Sequence, residues 1–307
     1  MKLTRRGLII AAAVGATGCL DDGDGTDGNV SNGTDGNGSD GNRTGEGSNG
    51  VNETDGTDSD TEPSDGMETA SFRSWLTDDR LREESNLRFD YARGYTEAFI
   101  GGRVEPLNLT SENVDGHVTQ SGTAVHLGGF DIDTMTNRIE DAEGFEVTGE
   151  HEGYTVAEGA VEAGDRNVTF PVAVGEDAVL VGEGYEAHID AHTGERDSLG
   201  EVEPEFRMLF DALPVNNSAT VAGQIGAPVG TGSTISEYVS VSGVAHETPT
   251  GGETTWVYVF DDADDVTPKR AGILVSSVQS GFGEVNDTET DGRIVRLNGT
   301  LPRPDSG

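Results

Sequence analysis

The chain has 307 residues, 57 of them acidic against 19 basic, for a formal charge of −38 at pH 7. So acidic a surface excludes nucleic acid as a partner, because gripping a phosphate backbone takes a basic face. A single cysteine excludes a disulfide framework, and 45 glycines beside a hydrophobic share of 33% leave a core to only part of the chain.

The first element is an address. Lys2, Arg5 and Arg6 precede an apolar run from Gly7 to about Ala16. That run is too short to span a bilayer, which takes roughly 20 apolar residues. A basic start, a short apolar middle and small residues afterwards predict an export signal over 1–18. The Arg5-Arg6 pair resembles the twin-arginine export signal, whose cargo crosses the membrane already folded. Ala16-Thr17-Gly18-Cys19 resembles a lipobox, which implies a lipid on Cys19 and a place on the outer side of the cell membrane. Cys19 is the only cysteine, so it has no intramolecular disulfide partner. Two acyl chains hold firmly, since each buried CH₂ contributes roughly 0.8 kcal/mol.

Residues 19–69 form the second element, an acidic linker of Gly, Asp, Asn, Ser, Thr and Glu. Val30, Val51 and Met67 are nearly its only apolar side chains. Such a segment buries too little to offset its ordering entropy and is expected to be a disordered tether. As a flexible coil it spans roughly 35–42 Å, and on the order of 160 Å pulled straight. Asn29, Asn32, Asn37, Asn42 and Asn52 carry the N-glycan acceptor pattern there, as do Asn108, Asn167, Asn216, Asn286 and Asn298 further on. The run "DDGDGTDGN" lacks the alternating ligands and the closing Glu of a calcium loop and reads as solvated linker.

Lys269 is the only lysine after Lys2, and arginine carries nearly all the remaining positive charge. Strong acidity with Arg in place of Lys resembles the proteins of salt-loving archaea. In molar salt the Debye length is about 3 Å, so the self-repulsion of such a chain is screened. The acids are spread over the whole chain, which speaks against a dedicated cation-binding site.

Residues 70–307 hold the folded part, as one domain or as two near 70–204 and 205–307. Phe72, Trp75, Leu76 and Leu81 share one helical face of "SFRSWLTDDRLREES", which predicts a short amphipathic helix. A loop runs on through Pro106, and "GTAVHLGGF" reads as a strand. Asp131 or Asp133 caps a helix over "TMTNRIEDAEG" that Gly144 stops. "FEVTGEHEGYTVAEG" predicts a hairpin turning at His151-Glu152-Gly153. "VTFPVAVGEDAVLVG" predicts a second, turning at Gly175-Glu176-Asp177, with Pro171 placing its first strand at a sheet edge. "YEAHIDAHTG" and "EPEFRMLFDALP" read as helices, the latter ended by Pro214. "SATVAGQIG", "ISEYVSVSGVAHE", "TTWVYVFDD", "AGILVSSVQSGFG" and "GRIVRLNGTL" read as strands, with turns at 249–252 and over "NDTETDG". Helices and strands come in runs, so the fold class expected is α+β with a mainly antiparallel sheet and a few short helices. The stretch 178–214, with Ala178 to Val181, Ile189, Ser198-Leu199, Phe206, Leu209-Phe210 and Leu213-Pro214, resembles a group of extracytoplasmic prokaryotic lipoproteins. That resemblance implies a surface α+β domain and no chemistry.

Candidate chemistry is sparse. His188 and His192 stand four apart in "HIDAH", a spacing that puts two metal ligands on one helix face. Ile189 takes the place of the Glu in the zinc motif H-E-x-x-H, no third ligand is visible, and solvent-facing histidines are the plainer reading. "DDADD" at 261–265 reads as a solvated acidic turn. "GQIGAPVGTG" lacks the P-loop lysine and the dinucleotide spacing. Ser233, Ser236, Ser276 and Ser277 have no nucleophile-elbow setting. Trp256, Tyr258 and Phe260 share a strand face and read as core. No cofactor motif is recognised, and no catalytic residue is assigned. The expectation is a non-enzymatic, lipid-anchored surface protein whose domain binds a surface protein or a small molecule. The alternatives are a surface-anchored hydrolase or metal-dependent enzyme, and a solute-binding protein for transport.

Overall fold

The computed structural model describes residues 69–79, 87–94, 105–163, 166–228, 233–249, 251–281 and 283–301. The chain divides into two units, Met1–Ser64 and Asp65–Gly307, and every described residue belongs to the second. The export motif, Cys19, the five linker sequons and Leu81 lie outside the described residues.

Twelve antiparallel strands make one sheet: β1 (Arg88–Arg93), β2 (Val114–Gln120), β3 (Thr123–Gly128), β4 (Phe145–His151), β5 (Tyr154–Ala163), β6 (Arg166–Val174), β7 (Ala178–Val181), β8 (Thr220–Ile225), β9 (Val239–Thr248), β10 (Gly251–Phe260), β11 (Glu284–Asp291) and β12 (Ile294–Leu301). Their order is β11-β12-β10-β9-β8-β1-β2-β3-β7-β6-β5-β4. Among the described residues six α-helices accompany them: α1 (Ile132–Asp141), α2 (Tyr185–Thr193), α3 (Leu199–Val202), α4 (Pro204–Ala212), α5 (Ser233–Ser236) and α6 (Pro268–Gly281). The antiparallel, helix-poor character expected is present, and the sheet is larger than a plain α+β reading implies.

The two halves follow one plan. β1-β2-β3-α1 and β8-β9-β10-α6 are each a three-strand meander followed by a helix. The last strand of each half, β7 or β12, returns to pair with the meander's third strand. The halves meet where β1 pairs β8, with Asp90 opposite Ala222, so the sequence ranges near 70–204 and 205–307 share a single sheet.

Register fixes which side chains share a face, because the side-chain period along a strand is two. On one face Phe89, Tyr91, Val118, Val125, Leu180, Val221, Val257 and Val259 pack with Phe72, Trp75, Ile189, Leu199, Phe206, Leu209 and Phe210. Gly223 and Gly243 lie opposite each other on that face, and a Cβ on Gly223 would stand 2.5 Å from the Phe89 ring. The missing side chains make the hollow that seats Phe89 and Leu209. The other face carries two separate cores. α1 buries Met135 and Ile139 against Phe170, Val172, Val174 and Val179. α6 buries Ala271, Leu274 and Val278 against Trp256, Tyr258, Phe260, Val295 and Leu297.

Several expectations need correction. The predicted amphipathic helix is a 3₁₀ segment, Thr69–Trp75, followed by an irregular stretch, although Phe72, Trp75 and Leu76 are buried as its pattern required. The loop expected through Pro106 contains β1, and β2 follows where no strand is expected; both are central strands. β1 offers only Phe89 and Tyr91 as alternating apolar residues, and a bulge between Val114 and Gly116 breaks the period of β2. "AGILVSSVQSGFG" is the helix α6 and not a strand. Its β-branched residues mislead, while Ala271, Leu274 and Val278 keep helical spacing and the Thr267 hydroxyl accepts from Arg270 N at 3.3 Å in front of Pro268. "NDTETDG" lies in β11, and the turn is confined to Gly292-Arg293. Pro171 lies in an interior strand, between β5 and β7. Its carbonyl accepts from Gly182 N just past the end of β7 (3.0 Å), so its missing N–H faces the same side and costs no bond to β5.

Candidate functional site

Polar side chains converge on helix α2. Gly184 and Gly194 bracket it in left-handed conformation, with φ of +94° and +83°, and Ile189 plugs into the large core. His188 is buried, and its Nδ1 lies 2.6 Å from the Trp75 carbonyl. A carbonyl only accepts, so Nδ1 carries the proton. Burial lowers the His188 pKa below its ordinary value, against the opposing pull of that hydrogen bond. Asp190, half-buried, meets His151 Nε2 at 2.7 Å at the end of β4. Arg196, just beyond the helix, clamps Asp78 and Asp79 and lowers the Asp79 pKa through its hydrogen bond.

The fourth contact has the widest chemical reach. His192 stacks flat on Trp75, with ring centroids 3.9 Å apart and planes 9° from parallel. Its Nε2 lies 2.7 Å from Asp177 Oδ2, and its Nδ1 lies 2.9 Å from Ser74 Oγ. Tyr154 donates its hydroxyl to the other Asp177 oxygen. Burial alone acts to raise the Asp177 pKa, but the hydrogen bonds from His192 and Tyr154 outweigh it and leave the carboxyl below its ordinary value. Burial, together with the same carboxylate, pushes the Tyr154 pKa far up, so the phenol stays protonated. With Asp177 ionised, Nε2 of His192 must donate to it. In the neutral imidazole Nδ1 then carries the lone pair and accepts from the Ser74 hydroxyl. A serine, a histidine and a carboxylate thus stand in one hydrogen-bonded line, half-exposed. Its parts come from the 3₁₀ segment, the end of α2, the β6–β7 turn and β5.

His188 and His192 therefore share a helix and a neighbour, Trp75, but not a ligand position. Both nitrogens of His192 and Nδ1 of His188 are engaged. Among the described residues no group of three or more His, Cys, Asp or Glu side chains is placed to hold a metal ion. Of the acids of 261–265, Asp262 caps a 3₁₀ turn by accepting from Asp264 N and Asp265 pairs with Arg270 at 2.9 Å, while 261–264 are exposed. Trp256, Tyr258 and Phe260 are core beneath α6. Asn108, Asn167, Asn216 and Asn286 are exposed, while Asn298 accepts from the Thr255 hydroxyl at 3.1 Å.

Sequence reading made no use of three further histidines. His117 on β2 and His126 on β3 face each other across the ladder, each 2% exposed, with ring centroids 6.4 Å apart. His117 Nδ1 lies 3.3 Å from the Gly94 carbonyl, and no described residue gives His126 Nε2 a partner. Burial, with His117 adding to it, lowers the His126 pKa to about 3. His246 on β9 meets the Thr254 hydroxyl at 3.0 Å.

No family model matches the chain, and no curated protein does. Among solved structures it is similar to TP0453 in crystal forms I, III and IV, at 9%, 9% and 8% identity and TM-scores of 0.42, 0.40 and 0.38. Each match covers 75% of this chain and 92–93% of the other. Among the described residues no helix is long and apolar enough to cross a membrane.

Proposed function

We propose that this chain is a lipoprotein of a salt-loving archaeon, exported by the twin-arginine route and held on the outside of the cell membrane by lipid on Cys19. Its folded domain acts there as a binding or interaction module. One observation carries the reading: Phe72 is the first buried side chain among the described residues, and the 52 residues between it and Cys19 hold almost nothing that a core could use. A segment of that composition contributes distance and solvation and no packing. The test is the intact mass of membrane-extracted protein together with the sequence of its N-terminal peptide. A chain that starts at a diacylglyceryl-modified Cys19 supports the reading. A free Cys19 thiol, or a chain cleaved elsewhere, overturns it.

A second reading, a surface-anchored hydrolase, has one specific observation in its favour: the line from Ser74 through His192 to Asp177. The solute-binding alternative draws no comparable support, since it expected two lobes of alternating strand and helix.

A further inference from the structure

We propose that Ser74 is a nucleophile, activated by His192 and positioned through Asp177, that cleaves neutral carboxylic esters. The inference rests on the hydrolase reading and supplies its nucleophile and its substrate class.

The geometry meets the requirements of nucleophile activation one by one. A serine needs a base within hydrogen-bond reach, and His192 Nδ1 is 2.9 Å away. The base needs its lone pair on that nitrogen, and Asp177 favours this by accepting the Nε2–H hydrogen bond at 2.7 Å, which holds the proton on the other nitrogen. The carboxylate needs to be fixed, and the Tyr154 hydroxyl holds its second oxygen. The imidazole needs a locked plane, and the Trp75 ring provides one. One bond would be enough to fasten α2; here the imidazole is held on three sides, with its basic nitrogen turned to a hydroxyl. Ser74, His192 and Asp177 are all partly exposed, so a small acyl group can approach.

The surroundings define the substrate by charge. Asp78, Asp79, Glu176, Asp190 and Glu195 flank the line in sequence. Of the arginines close by in sequence, Arg196 pairs with Asp78 and Asp79, while Arg73 donates to the Phe210 carbonyl at 2.9 Å and keeps its charge, one cation among those acids. Phosphate and sulfate esters meet repulsion there, and an uncharged acyl ester does not.

In the reaction, Ser74 Oγ bonds to the acyl carbon while its proton passes to His192 Nδ1. The ester C–O bond breaks, and the leaving alkoxide takes that proton and departs as the alcohol. Water then attacks the acyl-serine, giving one proton to His192 Nδ1. Ser74 Oγ leaves with the proton returned, and the carboxylic acid is released. Ester and water become acid and alcohol, and no redox partner is involved.

The test uses the full chain in molar potassium chloride with an alkyl fluorophosphonate, which forms a P–O bond to an activated serine as fluoride leaves. Peptide mass mapping reads the site, and turnover of p-nitrophenyl butyrate and p-nitrophenyl phosphate reads the class. The expected result is a phosphonyl group on Ser74 and turnover of the butyrate only. Ser74→Ala should remove the label and reduce turnover at least about 100-fold with the near-UV CD unchanged. Asp177→Asn should slow turnover and displace its pH profile, which a purely structural carboxylate would not do. Label on Ser74 with turnover of the phosphate alone overturns the ester assignment and leaves the hydrolase reading standing. No label on Ser74 in a chain with native near-UV CD overturns both.

Discussion

At the residue scale, His117, His126, His188 and His246 are kept neutral because burial lowers each pKa below the ordinary histidine value. The unfolded chain then binds more protons than the folded one below about pH 6.5, so stability is full above that pH and is lost as the pH falls. Each such histidine contributes up to about 1.4 kcal/mol per pH unit. In constant molar salt the urea midpoint should therefore drop between about pH 7.5 and 5.5, before carboxylates begin to protonate. His126→Phe should flatten that slope, and an equally steep slope in the variant would show that His126 is not its source. Gly175 gives a second expectation. A Cβ there would stand 2.2 Å from the Tyr154 ring, and the position is buried. Gly175→Ala should destabilise the domain by about 1–3 kcal/mol, as overpacking does, read from the thermal midpoint. If the midpoint is unchanged, the ring is not seated against that glycine. Of the relay only His192 was legible in the sequence, and there as a candidate metal ligand paired with His188. Positions 74, 154 and 177 carry no spacing signal, and folding alone brings them to His192.

At the scale of elements, legibility followed local chemistry. α1 announced itself through Asp131, whose carboxylate accepts from Thr134 N at 2.9 Å. The β4–β5 turn announced itself through Glu152-Gly153, both at positive φ (+46° and +85°), as a two-residue hairpin loop requires. Central strands β1 and β2 failed because their neighbours in the sheet, not their own pattern, make them strands. β11 failed because its acids read as a turn. It is an edge strand, exposed along almost its whole length, with Glu284, Asp287, Glu289 and Asp291 on it. The opposite edge, β4, carries Glu146 and Glu150 and a bulge between Val147 and Gly149. Charges and bulges blunt edges that would otherwise pair with another chain. Replacing the four β11 acids with threonine should leave the far-UV CD intact and produce concentration-dependent self-association on size exclusion. A variant that stays monomeric at every concentration would show that charge is not what guards this edge.

For the whole molecule, the dominant fact is charge: −38 for the full chain. Some of these acids pair with arginine among the described residues, such as Glu205 with Arg293 at 3.0 Å and Glu289 with Arg296 at 3.1 Å. The remainder repel one another wherever salt does not screen them. Dialysis from molar salt into dilute buffer should abolish the near-UV CD signal, and return of the salt should restore it. A spectrum indifferent to salt would end the halophile argument. Composition made this much readable, since a charge total needs no geometry. A single sheet running through both halves was not readable, because it depends on one long-range ladder.

That ladder between β1 and β8 sets an order of assembly. Tyr91 pairs with Val221, about 130 residues later, and closing such a loop costs about 4 kcal/mol of chain entropy. Each meander and its helix can form from neighbours alone, so the seam is the step that waits for both. A ribosome releases the first half long before the second, leaving β1 as a bare edge in the interval. During synthesis the exposed side of β1 is the surface that a chaperone has most reason to cover.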